Sequence, residues 1–241
     1  LTYRLPQGMD ADMGATKRVD RELSTEEWCS VIDKAWGAGI PHLTFTGGEP
    51  TLREDLPELI KHAEANGQVT GLLSDGLKLA DMDYLNTLLF TGLDHLMMVL
   101  HPEDEGAWGA LEKVLPQDLH TTVHLTLTPE NAASAETLLE RLAGMGVNAL
   151  SLSATNSDLD EILQHAGETA TNLGLSLIWD VPVPYSTSNP IALETVVDDS
   201  PQGAGRAWLY VEPDGDVLPA QGVGQVLGNL LEGEFASILN K

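Results

Sequence analysis

Short apolar runs alternate along the chain with longer stretches in which apolar residues recur every three or four positions. The short runs predict strands at Leu1 to Leu5, His42 to Thr46, Val69 to Ser74, His95 to His101, Thr121 to Thr128, Asn148 to Ser153 and Leu175 to Val181. The longer stretches predict helices at Thr25 to Ala38, Glu54 to Ala65, Met82 to Thr91, Asp104 to Leu115, Ala133 to Gly144 and Leu159 to Leu173. Helix punctuation agrees: Ser24 precedes Glu26 and Glu27, and Gly67, Gly92, Gly146 and Gly174 follow helical stretches. Repeated strand-helix units imply a parallel sheet with right-handed crossovers.

Parallel strands covered by helices on both sides are apolar on both faces. Several of these strands are not: Thr44 and Thr46 alternate with Leu43 and Phe45, His124, Thr126 and Thr128 with Val123, Leu125 and Leu127, and Ser151 and Ser153 with Leu150 and Leu152. Either those faces line a wet cavity or their hydroxyls bond within a packed core. The first arrangement is the leading one, and it favours a partly open barrel with a ligand-holding lumen. After Pro184 the composition turns to Ser, Pro, Asn and Gly, which predicts a barrel over 1–184, a linker over 185–205 and an extension over 206–241. In the extension, Ala207 to Glu212 and Asp216 to Leu218 flank the turn Pro213-Asp214-Gly215 as a hairpin, and Glu234 to Leu239 reads as a last helix.

Charge narrows the partners. The 241 residues hold 37 acids against 12 lysines and arginines, a formal net charge of -25. Such a field repels phosphate backbones and anionic membrane surfaces, so no nucleic-acid or membrane partner is expected. The acidity reads as a solvated surface, with an acidic face that receives a basic peptide or protein as the alternative. No run approaches the ~20 apolar residues of a membrane helix, and no basic-then-apolar leader opens the chain, so a cytoplasmic protein is expected. Cys29, the single cysteine, forms no internal disulfide, which accords with a reducing compartment.

The richest segment chemically is Thr44-Phe45-Thr46-Gly47-Gly48-Glu49-Pro50, at the carboxyl end of a predicted strand and ahead of a helix, where α/β folds bind ligands. Two glycines allow close backbone approach, Glu49 can accept from an ammonium, and Pro50 stiffens the exit. Taken alone it could also be only a tight loop. Elsewhere, His120 and His124 share a strand face, and His42, His101 and Asp180 lie near strand ends. They make a lumen metal and a hydrolase a distant alternative to satisfied or solvent-facing histidines. Ser186 and Ser188 have no paired base, and Gly203-Ala204-Gly205 lacks the setting of a dinucleotide turn.

The stretch from His42 to Asp55, H-L-T-F-T-G-G-E-P-T-L-R-E-D, resembles the second-strand motif of the radical S-adenosylmethionine superfamily. Leu1-Thr2-Tyr3-Arg4 looks like the strand before that family's C-x-x-x-C-x-x-C loop, and Leu73-Ser74-Asp75-Gly76 like its third-strand Thr-Asn-Gly segment. Residues Tyr210 to Pro219, with Gly228-Asn229-Leu230 behind them, are similar to the SPASM or twitch extension of peptide-modifying members. The resemblance implies a partial (β/α)6, TIM-like barrel, open on one side, with a small C-terminal hairpin and helix. It implies S-adenosylmethionine and a 4Fe-4S cluster as cofactors, and a peptide or small-molecule substrate modified through a 5'-deoxyadenosyl radical. It assigns Gly47, Gly48, Glu49 and Pro50 to the methionine end, with Ser74 near the ribose or carboxylate.

The chain departs from that pattern where the cluster binds. Counted on from Arg4, the three cluster positions hold Leu5, Met9 and Asp12, none of which is a thiolate. Ala220 stands where the extension's cysteine is expected, and Cys29, beside Trp28 in the first helix, reads as a structural thiol. A site-differentiated cluster needs three cysteine sulfurs, so the chain is expected to be cluster-free and inactive in the family reaction. The alternative is a non-catalytic pseudoenzyme that holds a peptide or partner in its lumen.

Overall fold

The computed structural model describes residues 1–5, 21–178, 208–219 and 225–239. Met9, Asp12, Asp180, Ala220, the expected linker and the second half of the strand expected at Leu175 to Val181 lie outside the described residues. Six helices and six strands alternate: α1 (Thr25–Gly37), β1 (His42–Phe45), α2 (Leu56–Asn66), β2 (Val69–Ser74), α3 (Met82–Leu89), β3 (His95–Leu100), α4 (Glu105–Val114), β4 (His120–Leu127), α5 (Ala135–Gly144), β5 (Ala149–Ala154), α6 (Asp160–Asn172) and β6 (Ser176–Leu177). Short polar side chains start several of the helices. Ser24 and Glu27 form a reciprocal capping box on α1, and Asp81 and Asp104 accept amides at the starts of α3 and α4.

All five strand pairs are parallel, and the sheet order follows the chain from β1 to β6, leaving those two strands as edges. The chain therefore folds as an α/β partial barrel, open on one side. Register separates the two faces. Leu96, Met98, Leu100, Val123, Leu125, Leu127 and Leu150 join the helices in one continuous core. The opposite face carries His95 beside His120, Met97 beside Thr122, Val99 beside His124, His124 beside Ser151 and Thr126 beside Ser153. On that inner face Leu73, Met97 and Val99 make a separate small apolar cluster. The lumen thus has an apolar wall on β2 and β3 and a hydroxyl-rich wall on β4 and β5.

The opening segment is not the strand its sequence predicts. It lies against the turn that follows β1: Leu1 N donates to Thr46 O at 2.6 Å, Gly48 N to Thr2 O at 2.7 Å and Glu49 N to Arg4 O at 2.8 Å. A turn offers too few successive groups to continue a ladder, so the pairing stops there.

The extension is larger than the expected hairpin. β7 (Tyr210–Val211), β8 (Asp216–Leu218) and β9 (Gly228–Asn229) form an antiparallel sheet, followed by α7 (Phe235–Leu239). It docks on α1, where Lys34 Nζ donates to Leu230 O at 2.6 Å and Gly233 O at 3.0 Å. Leu230, Phe235 and Ile238 enter the main core. Among the described residues no helix is long and apolar enough to cross a membrane.

Candidate functional site

The turn Thr46 to Pro50 leaves the carboxyl end of β1. Its glycines are required by the opening segment: a Cβ on Gly47 would fall 2.6 Å from Thr2 O, and one on Gly48 would fall onto the Arg4 carbonyl. The amides of Gly48 and Glu49 are engaged by that same segment. Pro50 opens a single 3-10 turn, Pro50–Leu52, capped by Glu49.

Glu49 is almost fully buried, and its carboxylate draws together both strand ends. Oε1 accepts from Thr51 N at 2.9 Å, Thr51 Oγ1 at 2.5 Å and Ser74 Oγ at 2.8 Å, while Oε2 accepts from Asp75 N at 2.9 Å. Ser74 Oγ in turn accepts the Gly76 amide at 3.0 Å. Burial, helped by the neighbouring Asp75 carboxylate, pushes Glu49 up to about 7 against the donors that favour its charge. Burial also raises Asp75, with His101 opposing.

Among the described residues neither carboxylate pairs with a lysine or arginine. Lys78, nearby in sequence, donates to Thr51 O at 2.7 Å and stacks on the Tyr84 ring at 4.1 Å. A buried carboxylate pair without a lysine or arginine partner favours either a shared proton or a cationic ligand.

Of the site residues singled out from sequence, Gly47, Gly48, Glu49, Pro50 and Ser74 converge at the ends of β1 and β2. Leu5 is described beside the turn, its side chain close to the space a Cβ on Gly48 would fill. Thr51 and Asp75 lie inside the segments that carry the resemblance but received no role from the sequence.

The histidines behave differently. His124 is wholly buried, with Nδ1 2.9 Å from Ser151 Oγ and Nε2 3.1 Å from Ser153 Oγ. Burial lowers its imidazole to about 4, so the ring is neutral and engaged on both sides. His101 pairs with Glu103 at 3.7 Å, and His120 is exposed at the start of β4. Among the described residues no three His, Cys, Asp or Glu side chains converge in a way that could hold a metal ion.

No family model matches the chain. It is similar to a PqqA peptide cyclase of Granulibacter bethesdensis, 26% identical over 243 residues that cover 88% of this chain and 63% of that protein. The chain thus spans less than two thirds of that relative's length. Among solved structures it is similar to SuiB of Streptococcus suis bound to S-adenosylmethionine, with a TM-score of 0.68 at 13% identity over 95% of this chain and 61% of that one. It is also similar to native anSMEcpe with bound AdoMet and the Kp18Cys peptide, with a TM-score of 0.67 at 14% identity over 95% of this chain and 77% of that one. At those identities the two structures establish the fold.

Proposed function

We propose that the chain is a member of the radical S-adenosylmethionine superfamily that binds S-adenosylmethionine at the turn after β1 but holds no 4Fe-4S cluster of its own. The observation that carries this reading is the donor set. The sequence has one cysteine, Cys29, in α1. Its thiol is pushed up by burial and by the carboxylates of Glu58 and Asp33, the opposite of what a thiolate ligand needs. A cluster with one open iron takes three thiolates, so the residues do not fit it, and no radical step follows for this polypeptide.

For S-adenosylmethionine the fit is better. Gly47, Gly48, Glu49 and Pro50 would hold the methionine end, with Ser74 beside them; a buried carboxylate unpaired with a protein cation suits an ammonium. The bound cofactor supplies a sulfonium. Thr51 and Ser74 orient the Glu49 carboxylate, and the Asp75 amide fixes its second oxygen. A peptide is the proposed substrate or ligand, by likeness to a peptide cyclase and to a peptide-bound structure, and a cytoplasmic setting accords with the lone thiol.

Anaerobic reconstitution with iron and sulfide tests the reading. The expected result is no stoichiometric iron and no 5'-deoxyadenosine; about four irons per chain with deoxyadenosine release would overturn it. The hydroxyl-rich lumen wall favours a second reading, a non-catalytic protein that holds a peptide there. Calorimetry separates the two. Saturable S-adenosylmethionine binding that Glu49→Ala abolishes supports the cofactor pocket, and peptide binding without it supports the scaffold.

A further inference from the structure

Arg53, three residues beyond Pro50, carries a buried guanidinium whose hydrogen bonds go to Asp55, Leu1 and Leu23 rather than to Glu49 or Ser74. Its Nε and Nη2 form a fork on Asp55, at 2.8 Å to Oδ1 and 2.6 Å to Oδ2. Its Nη1 donates to two carbonyls, Leu1 O and Leu23 O, each at 3.2 Å. Asp55 is itself held by Thr25 Oγ1 at 2.7 Å, at the start of α1. Glu22, 3.9 Å from Nη1, accepts Tyr3 N and Thr2 Oγ1 at 2.8 Å each. One side chain therefore joins the outgoing backbone at residues 1–4 to the returning backbone at 22–25.

The outgoing segment is the one whose carbonyls accept the Gly48 and Glu49 amides. We infer that Arg53 is the positioning residue of the candidate cofactor turn: its guanidinium, forked on Asp55, fixes Leu1 and Leu23 through Nη1, the fixed segment holds Gly48 and Glu49, and Glu49 is thereby aimed at its ligand. The ligand part of this inference rests on the proposed cofactor site; the positioning part does not. Lysine cannot reproduce it, because a single ammonium lacks the in-plane geometry that reaches a carboxylate and two carbonyls at once.

Amide hydrogen exchange on the unliganded chain provides the test, with S-adenosylmethionine calorimetry alongside. In Arg53→Lys, which keeps the charge, exchange at Gly48, Glu49 and Tyr3 is expected to speed up by about tenfold or more, while Val123 and Leu125 in β4 stay unchanged. Affinity for S-adenosylmethionine is expected to fall by about tenfold, with no change in the peptide arm. Arg53→Lys with native exchange at Gly48 and Glu49 would overturn the inference, as would uniform acceleration across β4. Should the variant not fold, the wild-type chain decides: Gly48, Glu49 and Tyr3 are expected to share one opening rate, and independent opening of Tyr3 would overturn it. Wild-type chain that ignores S-adenosylmethionine would remove the cofactor reading while the exchange data still judge Arg53.

Discussion

The Asp75 amide donates to Oε2 of Glu49 at 2.9 Å, which ties the turn after β1 to the end of β2 and sets two buried carboxylates side by side. Glu49 is held up to about 7, so its charge, and with it any grip on a cation, is present above that pH and lost below it. A cationic ligand is expected to bind about tenfold more tightly at pH 8 than at pH 6, and Glu49→Gln is expected to bind weakly at both. Calorimetry at the two pH values checks this. The fold responds in the opposite sense: because the folded value exceeds the unfolded one of 4.5, this group's contribution to stability declines as pH rises from about 4.5 to about 7.

His124 gives the mirror case. Burial lowers its imidazole from 6.5 to about 4, so across that window the unfolded chain binds a proton that the fold excludes. Stability from this group is complete above 6.5 and is lost as pH falls. Between pH 7 and pH 5 the loss is expected to be about 2 kcal/mol, and His124→Asn should remove it. The difference between the two proteins' urea midpoints at each pH isolates the effect.

Gly48 and Gly109 carry opposite expectations. Gly48→Ala would drive a methyl onto the Arg4 carbonyl and break the hydrogen bonds that the Gly48 and Glu49 amides donate to Thr2 O and Arg4 O, at a cost of about 1–3 kcal/mol. Gly109, inside α4, has open space where an alanine methyl would sit, so Gly109→Ala should stabilise by about 0.5–1 kcal/mol. Thermal unfolding of both variants provides the comparison.

Lys34 is the tether of the extension. Lys34→Met removes a charged donor from Leu230 O and Gly233 O, with an expected loss of about 2 kcal/mol. Amide exchange should rise in β9 and leave β4 as it was.

The βα beat was legible because each strand of the barrel is a short apolar or alternating run set between longer helical patterns. β2 and β8 coincide with their sequence-derived bounds, Val69 to Ser74 and Asp216 to Leu218. What sequence missed depends on contacts that periodicity does not encode. The opening residues pair with a turn rather than a strand, and β9 is two residues long, too short for any alternation. The Gly47 to Pro50 turn and Ser74 were singled out through their motif, and the structure brings them together. The Glu49 to Asp75 pairing was not singled out, because residues so far apart meet only once β1 and β2 are in register. Likewise the inner-face pattern predicted that His124 and Ser151 share a side, but only the register at β4 and β5 turns that into a hydrogen bond.

The grip of Lys34 on Leu230 and Gly233 joins groups 196 and 199 positions apart. During synthesis α1 emerges long before these partners are translated. The docking of α1 on the extension therefore forms only once residue 233 has left the ribosome, although the helix itself, capped by Ser24 and Glu27, takes no backbone partner from that stretch among the described residues.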